Sequence, residues 1–275
     1  MVVLSGVSFA APLDPTTTGA IGPRVVADAS ALPMPPPLSP SPWLDTIWPK
    51  PAPVLRGRTL TAASTADIAL EPHEVILTFD DGPVPVLTPS VLRILDEFGV
   101  KATFMMVGKM AEMHPKAAQA VALDGETIGT HTYDHKKLTK LTPEAALIDI
   151  QQGKDAVTAA LAPVGAKPSP FFRFPYLAQT EILRASLTFE DTIVLGIQVD
   201  SDDYLHATPA ETLKGLLARL DQKGRGIVLF HDIHPKTLAV LPPFLQALAD
   251  RGYKVVQLVA KQPSVFAEPV VTAAR

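Results

Sequence analysis

The sequence contains no cysteine, no apolar run long enough to cross a bilayer and no excess of positive charge. Without cysteine there can be no disulfide and no thiolate metal site, so any metal must be bound by His, Asp or Glu. The 24 Lys and Arg residues stand against 28 Asp and Glu, a net charge of -4, which gives no reason to expect nucleic acid or an anionic membrane as a partner. No membrane span is predicted.

The 275 residues, of which 47% are apolar, suffice for one large domain with an appendage. Residues 1–20 start with an apolar stretch that resembles a secretory signal but lacks a preceding Lys or Arg, so they are predicted to be signal-like or disordered. Residues 21–72 read as a Pro-rich extension, with a short strand or two expected near its end. Trp43 and Trp48 lie in this extension and are expected to pack on the domain rather than to touch a ligand. The main domain is predicted over residues 73–262, followed by a tail over 263–275.

From Glu74 onward, short apolar runs alternate with helical patterns. The predicted strands are Val75–Phe79, Ala102–Val107, Thr127–Thr130, Phe171–Phe174, Ile193–Val199, Ile227–Phe230 and Lys254–Leu258. The predicted helices are Pro89–Phe98, Pro115–Asp124, Pro143–Leu161, Thr180–Ser186, Pro209–Asp221 and Leu238–Arg251, with N-caps expected at Thr88, Thr142 and Thr208. This alternation predicts parallel βαβ units, and their order fits a barrel better than an open sheet.

Polar residues collect where the predicted strands end. They are Asp80 and Asp81, then His131 and His135, then Arg173 and Tyr176, then Asp200 to Tyr204, then His231 and Asp232. Because the loops after the strands of an α/β barrel form one face, these five stretches are expected to meet at one mouth. Any one of them alone is a weak signal, and their convergence is what predicts a catalytic site.

The adjacent carboxylates Asp80 and Asp81 mark the end of the first strand, just before Gly82-Pro83. In an extended chain, neighbouring side chains point to opposite sides, so the two carboxylates are expected to do different work. One can bind a metal while the other takes a proton. The alternative is that both merely cap a turn, as Asp often does.

The spacing of His131 and His135 allows one turn of chain to bring both imidazoles to one ion. With an aspartate from the first strand, the set becomes two nitrogens and one oxygen, which suits a divalent metal with open positions, zinc first. His231 can then protonate a leaving group, and Arg173 can keep the base ionised. Two surface histidines and a structural arginine ion pair are the alternatives.

Five motifs, in order, resemble those of the polysaccharide deacetylase family, the NodB-homology group also called carbohydrate esterase family 4. They are Thr78–Pro83, His131–His135, Arg173–Tyr176, Asp200–Tyr204 and Leu229–Asp232, within a match over about Glu74 to Leu258. The resemblance implies an α/β fold, a distorted seven-stranded (β/α) barrel of the NodB type, with the irregular Pro-rich segment as an N-terminal extension.

The resemblance also implies a role for individual residues. The implied catalytic residues are Asp80 as base, His231 as acid, Arg173 and Asp203, with Asp202 as a rival to Asp203. The implied metal ligands are Asp81, His131 and His135, for zinc or, alternatively, cobalt or another divalent ion. The implied substrate-contacting residues are Pro175, Tyr176, Tyr204 and Leu229. The chain departs from the family pattern at Tyr204, where Trp is usual, and at Leu177, where Gly is frequent; in the family, both positions border the substrate groove.

The implied reaction is metal-dependent hydrolysis of acetyl groups on a polysaccharide, first the N-acetyl group of N-acetylglucosamine in a chitin-type glycan or peptidoglycan. Removal of O-acetyl esters from xylan or another glycan is the nearest alternative. A non-catalytic glycan-binding module is a second one, but binding alone needs neither the base Asp80 nor the acid His231. A phosphate-handling enzyme that uses Asp80 and Asp81 is a further alternative, but the chain lacks a Gly-rich phosphate loop, and the histidine pair would remain unexplained. The expected partner is an acetylated polysaccharide, the expected location is periplasmic or secreted, and a monomer is assumed.

Overall fold

The computed structural model describes residues 55–261. The predictions made for residues 1–54, including the signal-like segment, Trp43 and Trp48, lie outside the described residues, as does the tail over 263–275.

Nine parallel strands form one sheet in the described part of the chain. Their bounds are β1 Arg56–Ala62, β2 Glu74–Asp80, β3 Thr103–Met106, β4 Thr127–Thr130, β5 Phe171–Phe172, β6 Ile193–Val194, β7 Val199–Asp200, β8 Gly226–His231 and β9 Lys254–Ala260. The parallel α/β fold predicted from the alternating pattern is confirmed.

Strands β2 to β8 form the distorted barrel. Strand β2 pairs with β3 on one side and with β8 on the other, β3 leads through β4 and β5 to β6, and β7 pairs with β8. No pairing joins β6 to β7 among residues 55–261, so the barrel is open between them. The single strand predicted over Ile193–Val199 is therefore wrong in detail, because the chain leaves the sheet between Val194 and Val199.

Strands β1 and β9 extend the sheet beyond the barrel. Strand β9 pairs with the start of β2, and β1 pairs with β9 along its length. The sheet therefore begins at Arg56, inside the segment that was expected to be an extension. An ion pair between exposed Arg58 Nε and Glu74 Oε1, at 2.8 Å, links β1 to the first residue of β2.

Seven α-helices connect the strands in the described part of the chain. They are α1 Leu87–Glu97, α2 Gly108–Met113, α3 Pro115–Leu123, α4 Pro143–Leu161, α5 Glu181–Phe189, α6 Pro209–Lys223 and α7 Pro235–Asp250. Thr142 and Thr208 cap α4 and α6 by accepting a backbone N–H, as predicted. Thr88 does not cap α1, because that helix begins one residue earlier and buries Thr88 within its first turn. No described helix is long and apolar enough to cross a bilayer.

The side chains of β2 alternate between two apolar layers. Val75, Leu77 and Phe79 belong to the cluster that packs against the helices, whereas Ile76 belongs to the smaller cluster inside the barrel. Since strand side chains alternate with period two, Thr78 and Asp80 continue the inward row above Ile76. The same alternation on β8 directs Leu229 and His231 inward above Ile227. On both strands, the inward-facing residues are therefore apolar inside the barrel and polar at its mouth.

Candidate active site

One cavity of about 470 Å³ lies at the carboxyl ends of the barrel strands. Its lining residues are Asp80, Asp81, His131, His135, Phe174, Tyr176, Leu177, Asp200, Tyr204, Leu229, His231 and His234. Eight of the eleven residues predicted for the site are among them. Arg173 and Asp203 lie behind the lining and bond to Asp80 and His231, whereas Pro175 is buried within the turn that carries Tyr176.

Asp80 is held by a fully buried arginine. Arg173 Nη1 donates to Asp80 Oδ1 at 2.6 Å and to Thr78 Oγ1 at 2.8 Å. The other guanidinium nitrogens donate to the carbonyls of Leu195 and Gly196, which are free because the chain leaves the sheet between β6 and β7. The break in the barrel thus supplies the acceptors that a buried guanidinium needs, and Asp80 keeps its second oxygen for other partners.

Asp81 turns back into the same cavity as Asp80. The expectation that the two carboxylates point to opposite sides is wrong, because Asp81 has a φ of 76° and is no longer extended. Its Oδ1 lies 3.2 Å from His135 Nε2 and 3.5 Å from His131 Nε2. The structure therefore places both carboxylates beside the histidine pair.

The donor set of Asp81, His131 and His135 fits a divalent metal. One donor atom from each residue lies within 4.8 Å of the others. Asp81 Oδ1 is buried and has no hydrogen-bond partner of acceptable geometry among the described residues, a costly state for a carboxylate unless an ion occupies the space. Burial alone would raise the pKa of Asp81, but His131, followed by His135 and His231, lowers it to about 2. An ionised carboxylate and two imidazoles are suitable zinc ligands.

His131 presents one defined nitrogen to this site. Its Nδ1 donates to the carbonyl of Arg173 at 2.7 Å, and since a carbonyl can only accept, the neutral ring keeps its proton on Nδ1 and presents Nε2 to a metal. Burial lowers the pKa of His135, and the charge of Asp81 offsets only part of this. Both imidazoles are therefore suited to act as neutral ligands.

The loop between the two histidines adopts a strained backbone that α4 supports. Thr132 and His135 have φ values of 65° and 54°, which residues other than glycine rarely adopt. Asp149, buried on α4, accepts the Tyr133 N–H on Oδ2 at 3.2 Å. One turn along the same helix, a Cβ at Gly153 would lie 2.4 Å from the Thr132 carbonyl. The loop therefore rests directly on the helix, and Asp149 fixes its position.

His231 and Asp203 form a buried pair on the other side of the cavity. His231 Nδ1 and Asp203 Oδ1 are 2.7 Å apart. Asp203 Oδ2 accepts hydrogen bonds from the backbone N–H of His231 and from the Thr237 hydroxyl. Burial alone would lower the pKa of His231, but the hydrogen bond and charge of Asp203 outweigh it and raise the pKa to about 9. The rival residue Asp202 bonds instead to Arg219 at 2.9 Å. The structure thus places Asp203, and not Asp202, beside the imidazole.

Asp232, the residue after His231, connects the end of β8 to the turn that follows β2. Asp232 is buried, and its carboxylate accepts the Gly82 N–H at 3.0 Å and the Thr88 hydroxyl at 2.5 Å. It occupies the space where a Cβ at position 82 would lie, 2.2 Å from both carboxylate oxygens. Only glycine fits there, which accounts for Gly82 directly after the two aspartates.

Two exposed tyrosines stand at the rim, each against a histidine. The ring of Tyr176 lies 4.8 Å from that of His135, and the ring of Tyr204 lies 5.2 Å from that of His231, measured between centroids. Tyr204 donates its hydroxyl to Asp200 Oδ2 at 3.3 Å. Burial, with the charges of Asp200 and Asp202, raises the pKa of Tyr204 to about 12, so its hydroxyl stays a donor at working pH.

Sequence reasoning did not assign Phe174 and His234 to the cavity lining, nor Asp149 to its support. It placed Asp200 and Asp232 at the mouth and Leu177 beside the substrate groove, and the structure adds that Asp200 and Leu177 line the cavity and that Asp232 supports it. His234 follows β8 by three residues, so the rule that polar residues after a strand face the mouth extends to it. Asp149 is the one charged residue on the buried face of α4. A single charged residue within an otherwise apolar helical stripe can be recognised from the sequence. Phe174 is apolar and gives no such signal.

Comparisons with known proteins find similarity to polysaccharide, chitooligosaccharide and peptidoglycan deacetylases. A family model described as polysaccharide deacetylase matches residues 67–191. The chain is 30% identical over 205 residues to a chitooligosaccharide deacetylase of Azorhizobium caulinodans, a match that covers 68% of this chain and 94% of that protein. It is 31% identical over 184 residues to the peptidoglycan-N-acetylglucosamine deacetylase PgdA of Listeria monocytogenes, a match that covers 67% of this chain. This match spans only 38% of the Listeria protein's length.

A solved structure is similar as well. The peptidoglycan deacetylase Bd3279 of Bdellovibrio bacteriovorus superposes with a TM-score of 0.69 at 35% identity. The superposition covers 77% of this chain and 61% of that one.

Proposed function

Because the chain belongs to the polysaccharide deacetylase family, we propose that it is a metal-dependent hydrolase that removes N-acetyl groups from N-acetylglucosamine residues of a chitin-type glycan or peptidoglycan. The observation that carries the proposal is the set of side chains that line and support one cavity. A three-ligand metal set stands beside Asp80 and His231, and each of these two has its own buried partner. The names of the similar proteins support the acetylated aminosugar as the substrate class.

Asp81, His131 and His135 would hold the metal, with zinc as our first choice. A bound divalent ion supplies Lewis acidity, which polarises the acetyl carbonyl and acidifies water. Asp80 accepts the proton of the attacking water, and Arg173 keeps this carboxylate ionised and oriented. The backbone N–H of Tyr176 stabilises the negative charge that develops on the carbonyl oxygen. Leu229, buried on β8, borders the space for the acetyl methyl group.

His231 donates a proton to the departing nitrogen. With its pKa raised to about 9 by Asp203, the imidazole is protonated at neutral pH. An amine cannot leave unless its nitrogen is protonated, whereas an ester oxygen leaves more easily. The protonated acid therefore favours the amide over an O-acetyl ester as the substrate.

Acetate release from a panel of substrates tests the proposal. Zinc-loaded protein is incubated with N-acetylglucosamine oligomers, peptidoglycan and acetylxylan, and Asp80→Asn serves as the control that keeps size and loses the base. Release from the aminosugar glycans in wild type only is the expected result. Release from acetylxylan alone would replace the proposal by an O-acetyl esterase, and saturable binding without release would replace it by a glycan-binding module.

We place the protein outside the cytoplasm, periplasmic or secreted, because the glycans named for its relatives belong to cell walls and chitin. Cell fractionation followed by immunoblotting tests this. Detection only in the cytoplasmic fraction would contradict it.

A further inference from the structure

Leu177 is a large apolar side chain that the fold does not use. It belongs to none of the three apolar clusters found among residues 55–261. Its side chain is 43% exposed, although it lines the cavity that contains Asp80 and His231. A leucine so exposed gives up much of the stabilisation that burial would supply.

The backbone at Leu177 is also unfavourable for leucine. Its φ is 55°, directly after Tyr176 with a φ of 59°. In this left-handed region, Cβ approaches a carbonyl oxygen, and glycine avoids the cost. The turn is closed by backbone bonds, from Leu177 N to the Phe174 carbonyl at 2.9 Å and from Ala178 N to the Pro175 carbonyl at 3.1 Å. Glycine at 177 would keep both bonds, so the turn itself does not require the side chain.

A strained and exposed apolar residue at a cavity mouth is typical of a ligand contact. The rim carries two more exposed apolar surfaces, the rings of Tyr176 and Tyr204. The floor, in contrast, holds the ionisable groups Asp80, Asp81 and His231, which suit the acetyl amide. The apolar rim is therefore available for a part of the substrate other than the reacting group.

We propose that Leu177 is a specificity-determining residue that packs against the ring C–H groups of a hexosamine bound in the cavity. The inference rests on the proposed function, since the cavity must hold a glycan. A β-linked hexosamine carries its polar groups around the ring edge and its axial C–H groups on the ring faces. Covering such a face with leucine removes apolar surface of both partners from water. This contact is what offsets the cost of leucine in a left-handed turn.

Binding to zinc-loaded Asp80→Asn protein tests the contact without turnover. Calorimetry with the N-acetylglucosamine tetramer compares this parent with a double variant that also carries Leu177→Gly. We expect Kd to rise about three- to tenfold, as for the loss of a partly buried leucine contact. We expect Tm to change by less than about 2 °C, because relief of the left-handed strain offsets the lost packing. Leu177→Met keeps an apolar side chain and should hold Kd within about twofold.

Asp191→Gly is the matched control. Asp191 is exposed and left-handed, with a φ of 54°, and lies outside the cavity lining. Its replacement should leave Kd unchanged. An unchanged Kd in the Leu177→Gly protein would overturn the role of Leu177 while the proposed function stands. An equal rise of Kd in Asp191→Gly would also overturn it. If the parent does not bind the tetramer at all, both this inference and the proposed substrate class are wrong.

Discussion

The floor and the rim of the cavity are built by different means. On the floor, Asp80 and His231 stand at strand ends and are held by Arg173 and Asp203, which reach them from other strands or loops. On the rim, Tyr176, at 64% exposure, and Tyr204, at 46%, stand on turns and have few contacts. Side chains held by buried hydrogen-bond partners have one geometry, whereas turn residues can be exchanged at small cost. The chemistry and the choice of glycan should therefore be separable by mutation.

Backbone strain is concentrated in the loops around the cavity and not in the strands that carry Asp80 and His231. Five of the nine non-glycine residues with positive φ in the described part lie within the five motifs, and a sixth, Leu177, directly follows the third motif. The five are Asp81, Thr132, His135, Tyr176 and Asp202. Floor residues on β2 and β8, by contrast, remain in regular strands. The proposed base Asp80 and the proposed acid His231 therefore stand on regular strands, whereas strained loops orient the proposed metal ligands Asp81 and His135 and the rim.

The largest effects should come from the two adjacent carboxylates on the floor. Asp80→Asn removes the base but preserves size, so turnover should fall by a factor on the order of 10²–10⁴ while zinc stays bound. Asp81→Asn replaces an anionic ligand by a neutral one, so zinc affinity itself should fall. Rates measured during zinc titration check this, with activity restored in part for Asp81→Asn and not at all for Asp80→Asn. Identical responses of the two variants would show that the roles are assigned wrongly.

Asp203→Asn should move the pH profile of the floor. His231 is protonated below its raised pKa of about 9, which Asp203 maintains against burial. Without that carboxylate, burial lowers the pKa, so the alkaline limb of kcat/KM should move to lower pH. The profile is measured from pH 6 to 10. Asp202→Asn is the matched control, since Asp202 pairs with Arg219 and should leave the limb in place. An unmoved limb in Asp203→Asn would mean that another group is the acid.

Asp149→Ala should weaken the metal site from a distance. Loss of the bond to Tyr133 N frees the strained loop between His131 and His135, so we expect zinc affinity to fall by about tenfold. Competition with a chelator measures this on folded protein. Asp155→Ala is the control, because Asp155 lies on the same helix and bonds only to exposed Gln151. Equal zinc affinity in both variants would reduce Asp149 to a purely structural role.

The smallest effect should come from the rim hydroxyl of Tyr204. Tyr204→Phe removes the 3.3 Å bond to Asp200 but keeps the ring against His231. We expect KM to change by less than about threefold, with kcat near that of wild type. Because the pKa of Tyr204 is raised to about 12, the effect should be the same from pH 6 to 9. A large fall in kcat would move Tyr204 from the rim to the catalytic machinery.

The same division explains which site residues the sequence could predict. Asp80, His131, Arg173 and His231 end or follow apolar runs, and a polar residue there is conspicuous. Leu177 is apolar and stands out only as a departure from the family pattern, while its φ of 55° is not visible in any local pattern. The direction of Asp81 was wrong for the same reason, since its φ of 76° is set by the turn. Sequence patterns therefore predict what a strand end carries, but not how the following turn aims it.

The fold shows a similar limit. Regular strands and long helices were predictable because their patterns extend over many residues. Helix α2, with six residues, begins at a glycine and has no side-chain cap, so it was missed. The break after Val194 leaves the Leu195 and Gly196 carbonyls free to accept from Arg173, which reaches them from a distant part of the chain. A long-range demand of this kind is invisible in a local pattern, although Gly196 within the apolar run was a hint.

The pairing of β2 with β8 sets the distance between the backbones of Asp80 and His231. Asp80 and His231 are direct register partners on adjacent strands, so the backbones that carry the proposed proton acceptor and the proposed proton donor are about 4.8 Å apart. No loop length enters this distance. Under the proposed function, insertions or deletions in the loops around the mouth can therefore alter the contacts with the glycan without changing the distance between these two backbones. A slip of β8 by one residue would turn His231 toward the helices and end the chemistry at once.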